Sequence, residues 1–136
     1  DLVELLGMTD FLIASRVFAE ALTGLADPAE AADSLAGYGS PVTVVTLGEE
    51  GSYTLAGDRT FHTPAFPVEV VDTTGAGDVY HGAFIFGLLQ KWGLQKIAEF
   101  ASAVAAMSCT RLGGRQGIPT LGEAMSFLRD RDAEHF

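Results

Sequence analysis

The 136-residue sequence predicts an α/β fold with a largely parallel sheet flanked by helices. Three observations carry that expectation. PVTVVTL at 41–47 is β-branched and uninterrupted, as a strand buried on both faces should be. DFLIA at 10–14 is a second short apolar run, fit for a buried strand. Strand-like and helix-like segments then alternate along the chain, and a 48% hydrophobic, 19% charged composition supplies the core of one modest domain.

The elements follow in order. DLVELLGMTDFLIAS at 1–15 reads like the middle of an α/β alternation, so the chain is expected to be a fragment of a longer protein. SRVFAEALTG at 15–24 predicts a brief helix stopped by Gly24. In DPAEAADSLAGYG at 27–39, Asp27 is the N-cap, Pro28 takes the first helical position, and Gly37 or Gly39 ends the helix. GSYTLAGDRTFHTP at 51–64 predicts a hairpin around Gly57-Asp58. VEVV at 68–71 leads into the turn DTTGAGD. Helical spacing resumes at Tyr80, Phe84 and Leu88, with Ile85 and Leu89 beside them. A longer helix is expected over 94–112 and another over 120–131, the latter opened by a capping box of Thr120 and Glu123. There is no internal repeat, low-complexity run or interdomain linker.

Eighteen acids against eight bases give a net charge of −10. That disfavours nucleic acid and anionic membrane as partners, since both call for clustered Lys and Arg. An anionic ligand must then be held by backbone amides, a helix N-terminus, a metal ion or isolated bases. No apolar stretch approaches the roughly 18 residues of a membrane span, and no basic segment opens the chain as a signal peptide would. The single cysteine, Cys109, cannot form an internal disulfide and is read as a small core residue. This fits a reducing compartment, and a cytoplasmic location is expected.

Gly75-Ala76-Gly77 between Asp72 and Asp78 is the densest local signal. Glycines let another group approach the backbone closely, and successive amides in such a turn converge on an anion. A helix starting here would add its unpaired N–H groups and its positive dipole end. Asp78 beside that cradle could accept a proton from an attacking hydroxyl. The plainer reading is an aspartate cap on a glycine turn. Neither common phosphate motif is present: no Lys follows the glycines, and position 80 is Tyr where the dinucleotide fingerprint needs Gly.

DTTGAGDVYHGAF resembles the C-terminal signature D-T-x-G-A-G-D of the ribokinase-like (PfkB) carbohydrate kinases. VTLGEEG at 45–51 is similar to that family's nucleotide loop, and GGRQGIPTLGEAMSFL at 113–128 to its closing loop and last helix. The resemblance implies the ribokinase-like fold and ATP-dependent phosphorylation of a sugar hydroxyl. It implies Asp78 as catalytic base and Gly75, Ala76 and Gly77 as anion hole. Thr46 and Gly48 would contact the nucleotide, Gly51 would supply turn geometry, and Ser102 would line the adenine pocket or simply pack. Asp72 and Thr74 match positions that bind a monovalent cation such as K⁺ in many members, against a turn-stabilising role for Asp72. Mg²⁺ is implied with ATP. The chain would correspond to the C-terminal nucleotide-binding part over 1–136, with the sugar-binding and lid part upstream. It is therefore expected to be inactive alone, and any homodimer would pair through that lid.

One departure stands out. The family often carries N-x-x-E before L-T-G, an acidic patch that helps hold Mg²⁺ and phosphates through water. Here the aligned stretch is SRVF at 15–18, with Ser15 for Asn and Phe18 for Glu. Three lesser candidates complete the reading. His81 faces a sugar pocket or packs, and Arg111 and Arg115 either reach phosphates or are solvated. The rival functions are a nucleoside or small-alcohol kinase of the same family, and a nucleotide-binding module without catalysis.

Overall fold

A computed structural model describes residues 1–136, which form two compact units, 1–62 and 63–136. The first holds α1 (Leu2–Gly7), β1 (Phe11–Ser15), α2 (Arg16–Thr23), α3 (Pro28–Ala36), β2 (Val42–Thr46), β3 (Ser52–Ala56) and all but the last residue of β4 (Arg59–Thr63). The strands make one sheet in sequence order, β1-β2-β3-β4.

The sheet is mixed where the alternation implies a largely parallel one. β1 and β2 pair in parallel, because α2 and α3 between them provide the crossover. β2 and β3 pair antiparallel. Only residues 47–51 join them, too few to carry the chain back to the starting edge. Ser15 lies opposite Thr46, and Thr46 opposite Ser52, so these three residues share one end of the sheet.

Local chemistry sets the helix ends. The Ser15 hydroxyl accepts the Phe18 amide at 3.2 Å and starts α2. One Asp27 carboxylate oxygen accepts the amides of Ala29 and Glu30, both at 3.0 Å, and Pro28 follows at the first helical position of α3. Gly37 caps α3. The helix α1 was not expected, although Asp1 accepts the Glu4 amide at 2.9 Å in the ordinary N-cap manner. One sheet face, with Leu12, Ala14, Val45 and Leu55, packs against Leu6 of α1, Ala19 of α2, and Ala31, Ala32 and Leu35 of α3. Four alanines at that contact keep the helices close to the sheet. Full burial of a Leu35-sized side chain contributes about 1.5–3 kcal/mol.

The second unit is helical: α4 (Ala76–Leu89), α5 (Leu94–Ser108) and α6 (Leu121–Asp130). α4 meets α5 where Gly87 lies against Ile97; a Cβ on Gly87 would stand 2.8 Å from Ile97 Cγ1. Phe86, Trp92, Phe100 and Phe136 form an aromatic cluster, with the Trp92 and Phe100 centroids 5.3 Å apart. α5 ends at Ser108, four residues before the expected limit. Beyond it, the Cys109 carbonyl accepts the amides of Val71 at 2.8 Å and Asp72 at 3.1 Å. That acceptor fixes the chain just ahead of α4, and residues 64–75 run there as turn and loop. No helix is long and apolar enough to cross a membrane.

Candidate active site

The turn before α4 is built on Asp72. One carboxylate oxygen accepts the Thr74 amide at 2.9 Å, and the other accepts the Gly113 amide at 2.8 Å. Hydrogen bonds from the Thr74 hydroxyl first, then from the amides of Thr74 and Gly113, hold the Asp72 carboxyl below the usual aspartate range. Asp72 thus ties the loop after α5 to the turn. A Cβ on Gly75 would come 3.6 Å from Gly114 Cα, so the two segments lie against each other. Gly75 has φ 74° and ψ 4°, the left-handed region that glycine enters without strain, and that reversal aims the chain into α4.

Gly75 is the N-cap of α4, so the amides of residues 75–78 have no partner inside the helix. The Ala76 amide donates to the Thr73 carbonyl at 3.1 Å. Of the three residues expected in the cradle, Ala76 has its N–H engaged within the turn. The amides of Gly75, Gly77 and Asp78 have no acceptor in the protein. They leave three donors at the positive end of a 14-residue helix.

Asp78 occupies the third position of α4, where an acid commonly reaches back to the N-cap amide. It does not do so here. The contrast within the molecule is direct. In α6 the Glu123 carboxylate accepts the Thr120 amide at 2.7 Å, which closes the box expected from the sequence. The Asp78 side chain is exposed and makes no hydrogen bond or ion pair within the protein. On the next turn, His81 Nδ1 lies 2.7 Å from the Gly77 carbonyl, which can only accept, so Nδ1 carries the hydrogen. His81 is exposed.

The first unit carries Thr46, Gly48 and Gly51, and the second carries Ser102. Thr46 ends β2 half-buried, its hydroxyl 3.5 Å from the Ala14 carbonyl, at the long limit for a hydrogen bond. Beyond it, Gly48–Glu50 form a 3-10 turn closed by the Gly51 amide on Gly48 at 3.0 Å, while the Leu47 amide donates to Gly51 at 2.8 Å. Gly51 has φ 94° and ψ −130°, a conformation a side chain would strain. Gly48 is exposed, with open space where a Cβ would be. Ser102 is buried in α5, and its hydroxyl donates to the Pro64 carbonyl at 3.2 Å.

The SRVF stretch offers no acidic metal-organising pair. Ser15 caps α2, Phe18 is apolar, and Arg16 Nη1 pairs with Glu50 Oε1 at 2.9 Å. Nowhere do three His, Cys, Asp or Glu side chains cluster as metal ligands. Mg²⁺ commonly binds through one or two carboxylates with waters and phosphates, and SRVF supplies no carboxylate for it. Asp72 and Thr74 are hard oxygen donors of the kind a monovalent cation takes, with Asp72 ionised and both its oxygens already accepting amides. Arg115 is exposed on the loop tied to Asp72, and the Thr120 amide and hydroxyl, with a smaller part from the charge of Arg111, hold the Glu123 carboxyl below its usual range. The one sequence signal that went unread is the Arg16–Glu50 pair, whose partners lie 34 positions apart.

Residues 1–121 match the pfkB family of carbohydrate kinases. The chain is 31% identical over 134 residues to a 5-dehydro-2-deoxygluconokinase of Clostridium tetani, covering 94% of this chain and 40% of that protein. The crystal structure of a Thermotoga maritima ribokinase superposes with a TM-score of 0.87 at 33% identity, covering 93% of this chain and 44% of that one. An E. coli protein assigned provisionally as ribokinase II, in complex with ATP and Mg²⁺, also gives 0.87 at 29% identity, covering 95% and 42%. The chain thus spans about two fifths of the length of the relatives it matches.

Proposed function

Because this chain belongs to the pfkB family of carbohydrate kinases, we propose that it carries the phosphoryl-transfer half of a sugar kinase. One observation carries the reading: the acid at the third position of α4 leaves the helix entrance open instead of capping it. A structural aspartate there would close on the N-cap amide, as Glu123 does in α6.

In this reading Asp78 takes the proton of the acceptor hydroxyl. The hydroxyl oxygen attacks the γ-phosphorus of ATP in line, the bond to the β-phosphate bridge oxygen breaks, and ADP leaves. The amides of Gly75, Gly77 and Asp78 receive the charge that gathers on the transferred group. The exposed Asp78 carboxylate, with no partner in the protein, is placed to meet an incoming hydroxyl. Thr46 and Gly48 serve the nucleotide, and Gly51 shapes their loop. Ser102, its hydroxyl hydrogen given to Pro64, offers packing surface to adenine and no free donor. Asp72 and Thr74 hold a monovalent cation, whose positive charge would add to that of the amides. No step is assigned to Mg²⁺ through this chain's residues.

Sugar choice belongs to residues outside this reading. Relatives act, by their names, on a deoxygluconate and on ribose. The test is phosphoryl transfer from ATP by the protein that carries this chain, measured as ADP release over a panel of sugars and sugar acids. ATP-dependent phosphorylation of one of them is the expected result. Tight ATP binding with no turnover on any acceptor would favour a binding module.

A further inference from the structure

We propose that Arg16 is a positioning residue for the nucleotide loop, acting through Glu50, at the site where the sequence departs from the family's acidic N-x-x-E. This rests on the kinase reading for the loop's role, and deepens it.

The register places Arg16 one residue beyond Ser15, which faces Thr46 on the last rung of the parallel pair. Open α/β sheets bind ligands off the carboxyl ends of such strands. Arg16 therefore begins α2 at the same end of the sheet as the loop after β2. Its guanidinium reaches Glu50, the last residue of the 3-10 turn between Gly48 and Gly51.

Glu50 is held at three atoms. Its amide donates to the Leu47 carbonyl at 3.3 Å. Its carbonyl accepts from His62 Nε2 at 2.6 Å, so that nitrogen carries the hydrogen. Its carboxylate takes Arg16 Nη1 at 2.9 Å. The first two ties are local or come from β4, and Arg16 supplies the one that crosses from α2. The turn they hold includes Gly48, where the backbone is open to a ligand.

The pairing also decides what Arg16 is not. With its charge matched by Glu50, it is not a bare anion site. Within the stretch where Phe18 stands for the family's Glu, Arg16 is a cation that organises the loop. The partners are partly exposed, at 39% and 60% of their side-chain surface, so the pair adds little to global stability. Its effect is local, on the order of the loop.

The experiment measures ATP affinity and steady-state KM and kcat in the protein carrying this chain, for Arg16→Met, Glu50→Gln, the double variant, Arg16→Lys, and the charge swap Arg16→Glu/Glu50→Arg. Each single neutral change should weaken ATP binding about three- to tenfold while kcat stays within about twofold, and the double variant should lose no more than either single. Arg16→Lys and the charge swap should recover most of the affinity, which a merely structural role would not predict. Unchanged ATP affinity in Arg16→Met with wild-type binding intact would overturn the inference alone. Additive losses, or a fall in kcat with KM unchanged, would do the same. A wild-type protein that binds no ATP would overturn the kinase reading and this inference with it.

Discussion

Gly77→Ala separates the stability of the turn from its use. Gly77 lies in the first turn of α4, does not adopt a positive φ, and has no heavy atom within 4 Å of where a Cβ would stand. Nothing in the protein requires glycine there. Alanine should therefore stabilise the helix by about 0.5–1 kcal/mol, through higher propensity and a less flexible unfolded chain. For a chain of this length that is about 2–5 °C in Tm. The methyl group would lean toward the helix N-terminus, as helical Cβ atoms do, and so toward the open amides. A phosphoryl group received there would be displaced by about an ångström, which costs on the order of 10- to 100-fold in kcat. The assay pairs thermal unfolding with ADP release. Gly122→Ala, in the first turn of α6 and equally open, is the control: it should gain similar stability and keep full activity. A Gly77→Ala protein with raised Tm and undiminished turnover would refute the cradle.

Three other perturbations test the frame around the site. Asp72→Asn should loosen the loop after α5, because an amide nitrogen would face either the Thr74 or the Gly113 N–H; faster hydrogen exchange at Gly113 checks it. Since the folded Asp72 carboxyl lies below its ordinary value, its contribution is present above the usual aspartate pKa and lost as pH falls through the folded one. The Tm difference between wild type and Asp72→Asn should therefore be full at neutral pH and shrink as the pH falls below the usual aspartate range. Gly87→Ala should cost about 1–2 kcal/mol, the net of a helix-propensity gain and overpacking against Ile97 Cγ1 at 2.8 Å. In an Ile97→Ala background that cost should vanish, as chemical denaturation of the double-mutant cycle would read. Thr120→Ala should lose about 1 kcal/mol by removing the acceptor of the Glu123 amide, measured by urea unfolding.

The elements were legible wherever local chemistry sets them. Asp27-Pro28, Thr120 with Glu123, and Gly57-Asp58 between β3 and β4 each carry a rule that acts within a few residues, and each appears where the sequence put it. Sheet direction was harder, because it depends on the length of residues 47–51, and that follows only once both strand ends are known. α1 was passed over although Asp1 and Glu4 spell a cap, since an apolar run that short gives weak periodicity. The overlong α5 reflects an acceptor invisible in one dimension: the Cys109 carbonyl serves Val71 and Asp72 from nearly forty positions away. At the site, the glycines and Asp78 could be picked out by composition and spacing. Which amides stay open could not, because the Ala76–Thr73 bond and the Asp72–Gly113 tie exist only in three dimensions.

The most direct test is Asp78→Asn in the protein that carries this chain, with ATP affinity and kcat measured side by side. Asparagine keeps the size of the side chain and removes the charge that would take the proton. ATP affinity should stay near wild type while kcat falls about 10²- to 10⁴-fold. Turnover at the wild-type rate would contradict the account.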